Sequence, residues 1–163
     1  MNVRNDSGTF RFVHESIIAA SPADVFHFHE RPEALRLLTP WWSGARIMSP
    51  PRDLRTGSIA VIHLGFGRLT MEWIAEHTVY EPPGLFVERQ VFGPFAHWEH
   101  FHHFLSDRAG ARLRDEIYYR PPLGLLGRLA NPFVIQPFLR ALFRYRHART
   151  RQALAGAPTP TTT

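Results

Sequence analysis

"ERQVFGPFAHWEHFHHF", Glu88 to Phe104, places four histidines (His97, His100, His102 and His103) in seven positions behind a Gly-Pro turn. Strand alternation divides the stretch into two rows. Trp98, His100, His102 and Phe104 share one face, and His97, Glu99, Phe101 and His103 the other. The row bounded by tryptophan and phenylalanine is the one expected to face inward, leaving His97 and His103 outside and solvated. Closing "SDRAGA" as a six-residue loop sets His102 opposite Asp115, His100 opposite Ile117 and Trp98 opposite Tyr119. Closing "GPF" as a three-residue turn sets Glu88 opposite His100 and Gln90 opposite Trp98. Both registers keep the polar residues on one face, as a half-buried sheet requires. The expectation is a polar stripe across three strands: Glu88 and Gln90, then His100 and His102, then Asp115 and Tyr119.

Outward from this stretch, turn signals separate strand-like runs. Phe10 to Ile18 reads as a first strand. "SPADVF" then opens a short helix to about His29, with Ser21 as N-cap and Asp24 at N3. A second short helix is expected over Pro32 to Leu38. Strands follow at Ala45–Met48, Ser58–Leu64, Leu69–Tyr80, Leu85–Phe92, Phe95–Ser106 and Ala111–Tyr119. "GFG" reads as a hairpin turn and "SPPRDLRTGS" as a longer loop able to sit over a pocket mouth. From Leu123 the apolar spacing becomes helical, through Val134, Phe138, Leu142 and Tyr145, with Pro132 and Pro137 expected to kink the helix. This last helix is the only element expected to cover a sheet that long, and the space between them is the candidate site.

The chain has 163 residues, a length suited to one domain. Residues 1–9 are expected to be a flexible N-terminus, 10–154 the domain and 155–163 a disordered tail. With no cysteine, thiolate chemistry and disulfides are excluded. All 19 basic residues are arginine and the net charge is +5, yet only Arg140 to Arg151 cluster, and no nucleic-acid-binding motif appears, so no nucleic-acid partner is expected. No run reads as a signal peptide or a membrane span, which points to a cytoplasmic protein. Thirteen phenylalanines and four tryptophans are enough to line an apolar pocket.

Glu88, Gln90, Gly93-Pro94-Phe95, Trp98, His100, His102, Asp115, Tyr119, Pro122 and Gly124 together resemble a polyketide cyclase/dehydrase-like branch of the START-like, or SRPBCC, superfamily. The resemblance covers about Phe10 to Leu154 in element order, with its specific motifs between Glu88 and Ala130. It implies an α+β helix-grip fold, with a curved antiparallel sheet of six or seven strands around a long C-terminal helix. It also implies a hydrophobic cavity between them that takes a lipid, polyketide or other aromatic molecule.

Three readings of the stripe stay open beside a purely structural network. In the first, a polar end orients a hydrophobic ligand against apolar walls from Trp73, Phe86, Phe92, Phe138 and Leu142. In the second, His100 or His102, oriented by Glu88 or Asp115, performs acid–base chemistry in a cofactor-free cyclase or dehydratase. In the third, the cavity is closed and the basic helix meets a membrane or partner. His-x-His alone is a weak metal signal, so no metal or other cofactor is assigned. Monomer and homodimer both remain open.

Overall fold

The computed structural model describes residues 8–66 and 68–155, so the expectations for both termini and for residue 67 of the "GFG" turn lie outside the described residues. Among the described residues seven strands form one antiparallel sheet, in the order β1-β7-β6-β5-β4-β3-β2. They are β1 (Phe10–Ile18), β2 (Ala45–Ser49), β3 (Ile59–Phe66), β4 (Leu69–Glu81), β5 (Leu85–Phe92), β6 (His97–Asp107) and β7 (Gly110–Arg120). The β6–β7 hairpin pairs His102 with Asp115, His100 with Ile117 and Trp98 with Tyr119. These are the partners that alternation predicts. The ladder runs further than expected, to Asp107–Gly110, so only Arg108 and Ala109 turn the chain. Between β5 and β6, Glu88 pairs with His100, but the ladder stops at Arg89–Glu99, short of Gln90 and Trp98.

Two short helices, α1 (Pro22–Glu30) and α2 (Ala34–Leu37), connect β1 to β2. Ser21 and Asp24 close a capping box at the start of α1, each side chain bonding the other's backbone. Val25, Phe26 and Phe28 on α1 pack with Ile18, Phe104 and Leu113 into one core cluster, so the last helix does not cover the sheet alone. The second cluster joins Phe12, Trp98, Ile117 and Tyr119 to Leu139 and Phe143 of the C-terminal helix.

That helix has three parts: α3 (Gly124–Ala130), a π-helical turn over Asn131–Ile135, and α4 (Gln136–Leu154). The expected disturbance at Pro132 takes the form of this wider turn, which absorbs the missing proline donor without ending the helix. Tyr119 holds the turn to the sheet: its hydroxyl donates to Asn131 Oδ1 at 2.7 Å and accepts from Gln136 Nε2 at 2.9 Å. The buried stripe of α4 is Leu139, Phe143, His147, Thr150 and Leu154. It lies one residue beyond the Val134–Phe138–Leu142–Tyr145 row expected from apolar spacing, because two of its members are polar. Val134 is exposed, as are Leu125, Leu126, Leu129 and Phe133 around the π-turn.

Gly110 begins β7 at φ +132°, and a Cβ built there would lie 2.2 Å from the Ile18 carbonyl oxygen. Gly110→Ala should therefore destabilise the domain by more than about 1 kcal/mol in a urea titration. An unchanged midpoint would show that this hairpin end has room to relax.

Candidate functional site

The concave side of the sheet, α1, α4 and the loop before β3 enclose a cavity of about 160 Å³. Its wall is largely apolar, with Trp73, Ala75, Phe86, Trp98, Leu139 and Phe143 among the lining residues. Phe138 and Leu142 also line it, although Phe138 is partly exposed and carries Trp42 against its ring. Pro51, Asp53 and Leu54 place the "SPPRDLRTGS" loop at the cavity, beside the exposed Arg31 and Pro32. Asp53 accepts hydrogen bonds from Ser58 Oγ and from the Arg55 backbone N–H, which gives the loop a fixed shape there.

Four expected lining residues do not line it: Asp115 lies just behind its polar end, and three others lie elsewhere. Phe92 is 56% exposed, because the β4–β5 register shifts between Ile74 and Ala75 and the extra residue turns the strand end outward. Gln90 clamps the β5–β6 turn, its amide bonding Phe95 O at 2.7 Å and Phe95 N at 3.3 Å. Phe95 is thereby fixed on Trp73 and Trp98 at the cavity wall. Gly93 permits the clamp, since a Cβ there would sit 2.6 Å from Gln90 Oε1. Tyr119 is the helix anchor described above. His97 and His103 lie on the convex side, half-buried rather than solvated, His103 with Glu116 3.9 Å away.

Glu88, His100 and His102 form the polar end of the cavity, and Asp115 stands behind them. His100 is fully buried, with Nδ1 3.0 Å from Glu88 Oε1 and Nε2 2.8 Å from Asp115 Oδ1. A carboxylate only accepts, so two carboxylates on one ring require both nitrogens to carry protons. Burial by itself would lower the His100 pKa, but the bonds to Asp115 and Glu88 outweigh it and the net direction is up. Burial likewise opposes ionisation of Glu88 and Asp115, yet their histidine partners hold both carboxyls well below the usual range. His102 goes the other way: burial and the neighbouring charge of His100 push its pKa down. The group thus favours two carboxylates, with His100 drawn toward its imidazolium form and His102 toward its neutral form.

Sequence reasoning missed three histidines. His147 of α4 bonds Asp115 Oδ2 through Nε2 at 2.6 Å, closing the network from the helix side, with the His14 ring against it. His29 and His77 line the cavity. The signal for each lay in its place on a buried pattern: His29 on the apolar face of α1, His77 in alternation with Trp73 and Ala75, His147 four residues after Phe143. His29 Nδ1 bonds the Val25 carbonyl at 2.7 Å, and burial depresses its pKa to about 3.

The remaining hydrogen bonds are unmade. His102 Nδ1 lies 2.7 Å from Asp115 Oδ1, but its N–H is not aligned with that oxygen, so the contact is electrostatic. Both ring nitrogens of His102 and the indole nitrogens of Trp73 and Trp98 are buried without a hydrogen-bond partner among the described residues. Each such group costs about 1–3 kcal/mol, and all three side chains line the cavity.

With fold and geometry in place, comparison with known proteins gives the family. A family profile described as "Polyketide cyclase / dehydrase and lipid transport" matches residues 18–143, and the chain belongs to that family within the START-like superfamily. No curated protein matches the sequence. Among solved structures, the di-domain ARO/CYC BexL from the BE-7585A biosynthetic pathway is 15% identical with a TM-score of 0.73, over 96% of this chain and 53% of that one. A nucleoside-diphosphate sugar epimerase from Corynebacterium glutamicum is 19% identical with a TM-score of 0.70, over 88% of this chain and 29% of that one. Norcoclaurine synthase from Thalictrum flavum, in complex with dopamine and hydroxybenzaldehyde, is 16% identical with a TM-score of 0.65, over 92% and 89% of the two chains. The chain therefore spans under a third of the epimerase and about half of the di-domain protein. At these identities the likeness is one of fold. Among the described residues no helix is long and apolar enough to cross a membrane.

Two predictions follow from the network. Asp115→Asn removes the charge that compensates buried His100, and should cost about 3–5 kcal/mol in equilibrium unfolding, the usual penalty for breaking a buried pair. A loss below 1 kcal/mol, on the order of an ordinary neutral hydrogen bond, would refute the charged network. The second concerns pH. Because the folded pKa of His29 is about 3, the unfolded chain binds the extra proton between the ordinary histidine value and that point. Stability from this group is complete above about pH 6.5 and falls on acidification, by up to about 1.4 kcal/mol per pH unit. His102 acts in the same direction, whereas His100 favours the acid side until its raised pKa is passed. His29→Gln should reduce the slope of stability between pH 4 and 6, read by chemical denaturation, by about one proton. An identical slope in the variant would overturn the assignment.

Proposed function

We propose that the chain binds a small hydrophobic molecule in this cavity and orients it at the Glu88–His100–His102 end. The carrying observation is the set of unmade hydrogen bonds on His102, Trp73 and Trp98, grouped around one apolar space. A buried polar group without a partner is favourable only if something else supplies one, and an occupant with an oxygen or nitrogen at one end does so. The volume limits the size. About 160 Å³ is close to the cavity of about 150 Å³ that admits a single benzene, and below the 300–1,000 Å³ of common drug-sized sites. One or two fused rings bearing a hydroxyl or carbonyl fit that description better than a full acyl chain or a multi-ring polyketide. The family description covers both polyketide chemistry and lipid transport; the volume favours an aromatic molecule of small size. The single-ring compounds in the norcoclaurine synthase structure belong to the same size class.

A second reading, turnover of the bound molecule, is favoured by His102. Its lowered pKa keeps it neutral at physiological pH, Asp115 stands beside Nδ1, and Nε2 lies 3.8 Å from Glu88. A neutral imidazole with an unengaged nitrogen is suited to general-base work.

Isothermal titration with 2-naphthol tests the proposal. One equivalent should bind the wild-type chain, and Ala75→Phe, which fills the space beside Trp73, should abolish binding while leaving the fold intact by circular dichroism. Equal binding to both proteins would place the naphthol elsewhere and end the reading. If a turned-over substrate is found among related phenols, His102→Ala should remove turnover while the compound still binds.

A further inference from the structure

We propose that Glu88, His100 and His102 form a binding site for one divalent transition-metal ion of the zinc class at the polar end of the cavity. One ligand atom from each of the three lies within 4.8 Å of the others. Glu88 Oε1 is 3.0 Å from His100 Nδ1 and 3.8 Å from His102 Nε2. Metal–ligand bonds of about 2.0–2.2 Å at tetrahedral or octahedral angles set neighbouring ligand atoms about 3.0–3.5 Å apart. Glu88 and His100 already stand at that spacing, and a shift of the His102 ring toward them brings the three atoms onto one ion.

The opposite edge of His100 strengthens the assignment. His100 Nε2 and His102 Nδ1 are 2.8 and 2.7 Å from the same oxygen, Asp115 Oδ1. A metal-bound histidine characteristically gives its other N–H to a carboxylate, which fixes the tautomer and the ring orientation. Asp115 plays this part for His100, whose Nε2 hydrogen-bonds it, and lies in electrostatic contact with His102 Nδ1; His100 Nδ1 bonds Glu88, and His102 Nε2 lies 3.8 Å from the same carboxylate. His147 bonds the other oxygen of Asp115 and holds that carboxylate in place from α4.

The independent sign of a ligand is His102 itself. It is 1% exposed, it lines the cavity, and neither of its nitrogens has a hydrogen-bond partner among the described residues. A metal ion supplies Nε2 with the partner the chain withholds. The proton balance is simple: the ion takes the place of the proton on His100 Nδ1, so one proton leaves as one divalent ion enters. Two imidazoles and one carboxylate suit zinc, cobalt or iron(II) better than calcium or magnesium, which prefer oxygen. Three protein ligands leave a coordination position open, and Glu88, at 23% side-chain exposure, is the most accessible of the three. That open position would take a water or the oxygen of a cavity occupant.

The site does not depend on the proposed apolar ligand, and its test is separate. Chelator-treated full-length protein is titrated with zinc chloride by calorimetry and with cobalt(II) by visible absorption, with no organic ligand present. Saturation at one equivalent, with cobalt d–d bands of nitrogen/oxygen coordination and a raised melting temperature, is expected. Glu88→Gln and His102→Ala should each weaken zinc by more than about 100-fold, beyond the loss that removal of an orienting partner causes. His63→Ala, at the exposed His63–Glu72 pair, should leave binding unchanged. If either ligand variant misfolds, the cobalt spectrum of the wild-type chain still decides. No uptake, cobalt bands of purely aqueous type, or zinc binding lost only in His63→Ala would each overturn the proposal. The 2-naphthol titration of chelator-treated protein can succeed or fail whatever the metal result.

Discussion

Asp115 is the point on which the rest of the structure depends. It sits in the middle of β7, nearly inaccessible to solvent, and three imidazoles converge on it: two from β6 and one from α4. A lone carboxylate in such a place would either take up a proton or open the structure to water. Its surroundings keep it ionised instead. That requirement orders much else, because the β6–β7 register must set His102 opposite it and α4 must arrive with His147 facing inward. A slip of one residue in either element would turn a histidine out and leave the charge uncompensated. Burial of such a network adds little net stability compared with an apolar core of the same shape. Its effect is to leave few acceptable alternatives to the observed packing.

The cavity results from the same constraints applied to large side chains. Gln90 pins Phe95 onto Trp73 and Trp98, while Tyr119 pins the π-turn of the last helix to the far end of the sheet. Phe143 packs from the helix onto Phe12 and His100 of the sheet, and the cavity lies beside that contact. The space that remains is small, and its polar residues are gathered at one end. The β4–β5 bulge sends Phe92 outward and keeps it from filling the space.

Local consistency is weakest around the cavity, which holds four of the six buried side-chain nitrogens without partners among the described residues, the others being Arg114 Nε and His147 Nδ1. Elsewhere caps, turns and alternation agree with the fold, as at the Ser21–Asp24 capping box. Around the cavity, His102, Trp73 and Trp98 leave buried nitrogens without partners among the described residues. Departures from polar satisfaction concentrate where a protein meets its ligand.

The sequence by itself determined the strands, the two β6 faces, the pairing of His102 with Asp115 and of Glu88 with His100, and hence most of the polar stripe. Those features follow from period-two alternation and short hairpins, which are local properties. It also carried the capping box and the disturbance at Pro132. Tertiary structure decided what depends on distant segments. His147 reaches Asp115 across 32 positions of chain, and apolar spacing alone placed the buried stripe of α4 one residue early because it discounted a histidine and a threonine. Gln90 and Tyr119 look like lining residues in a strand pattern but are clamps in space. Phe92 changes face because a bulge interrupts the alternation. The volume of the cavity was not legible either, since it is the small remainder between large surfaces packed from both ends of the chain.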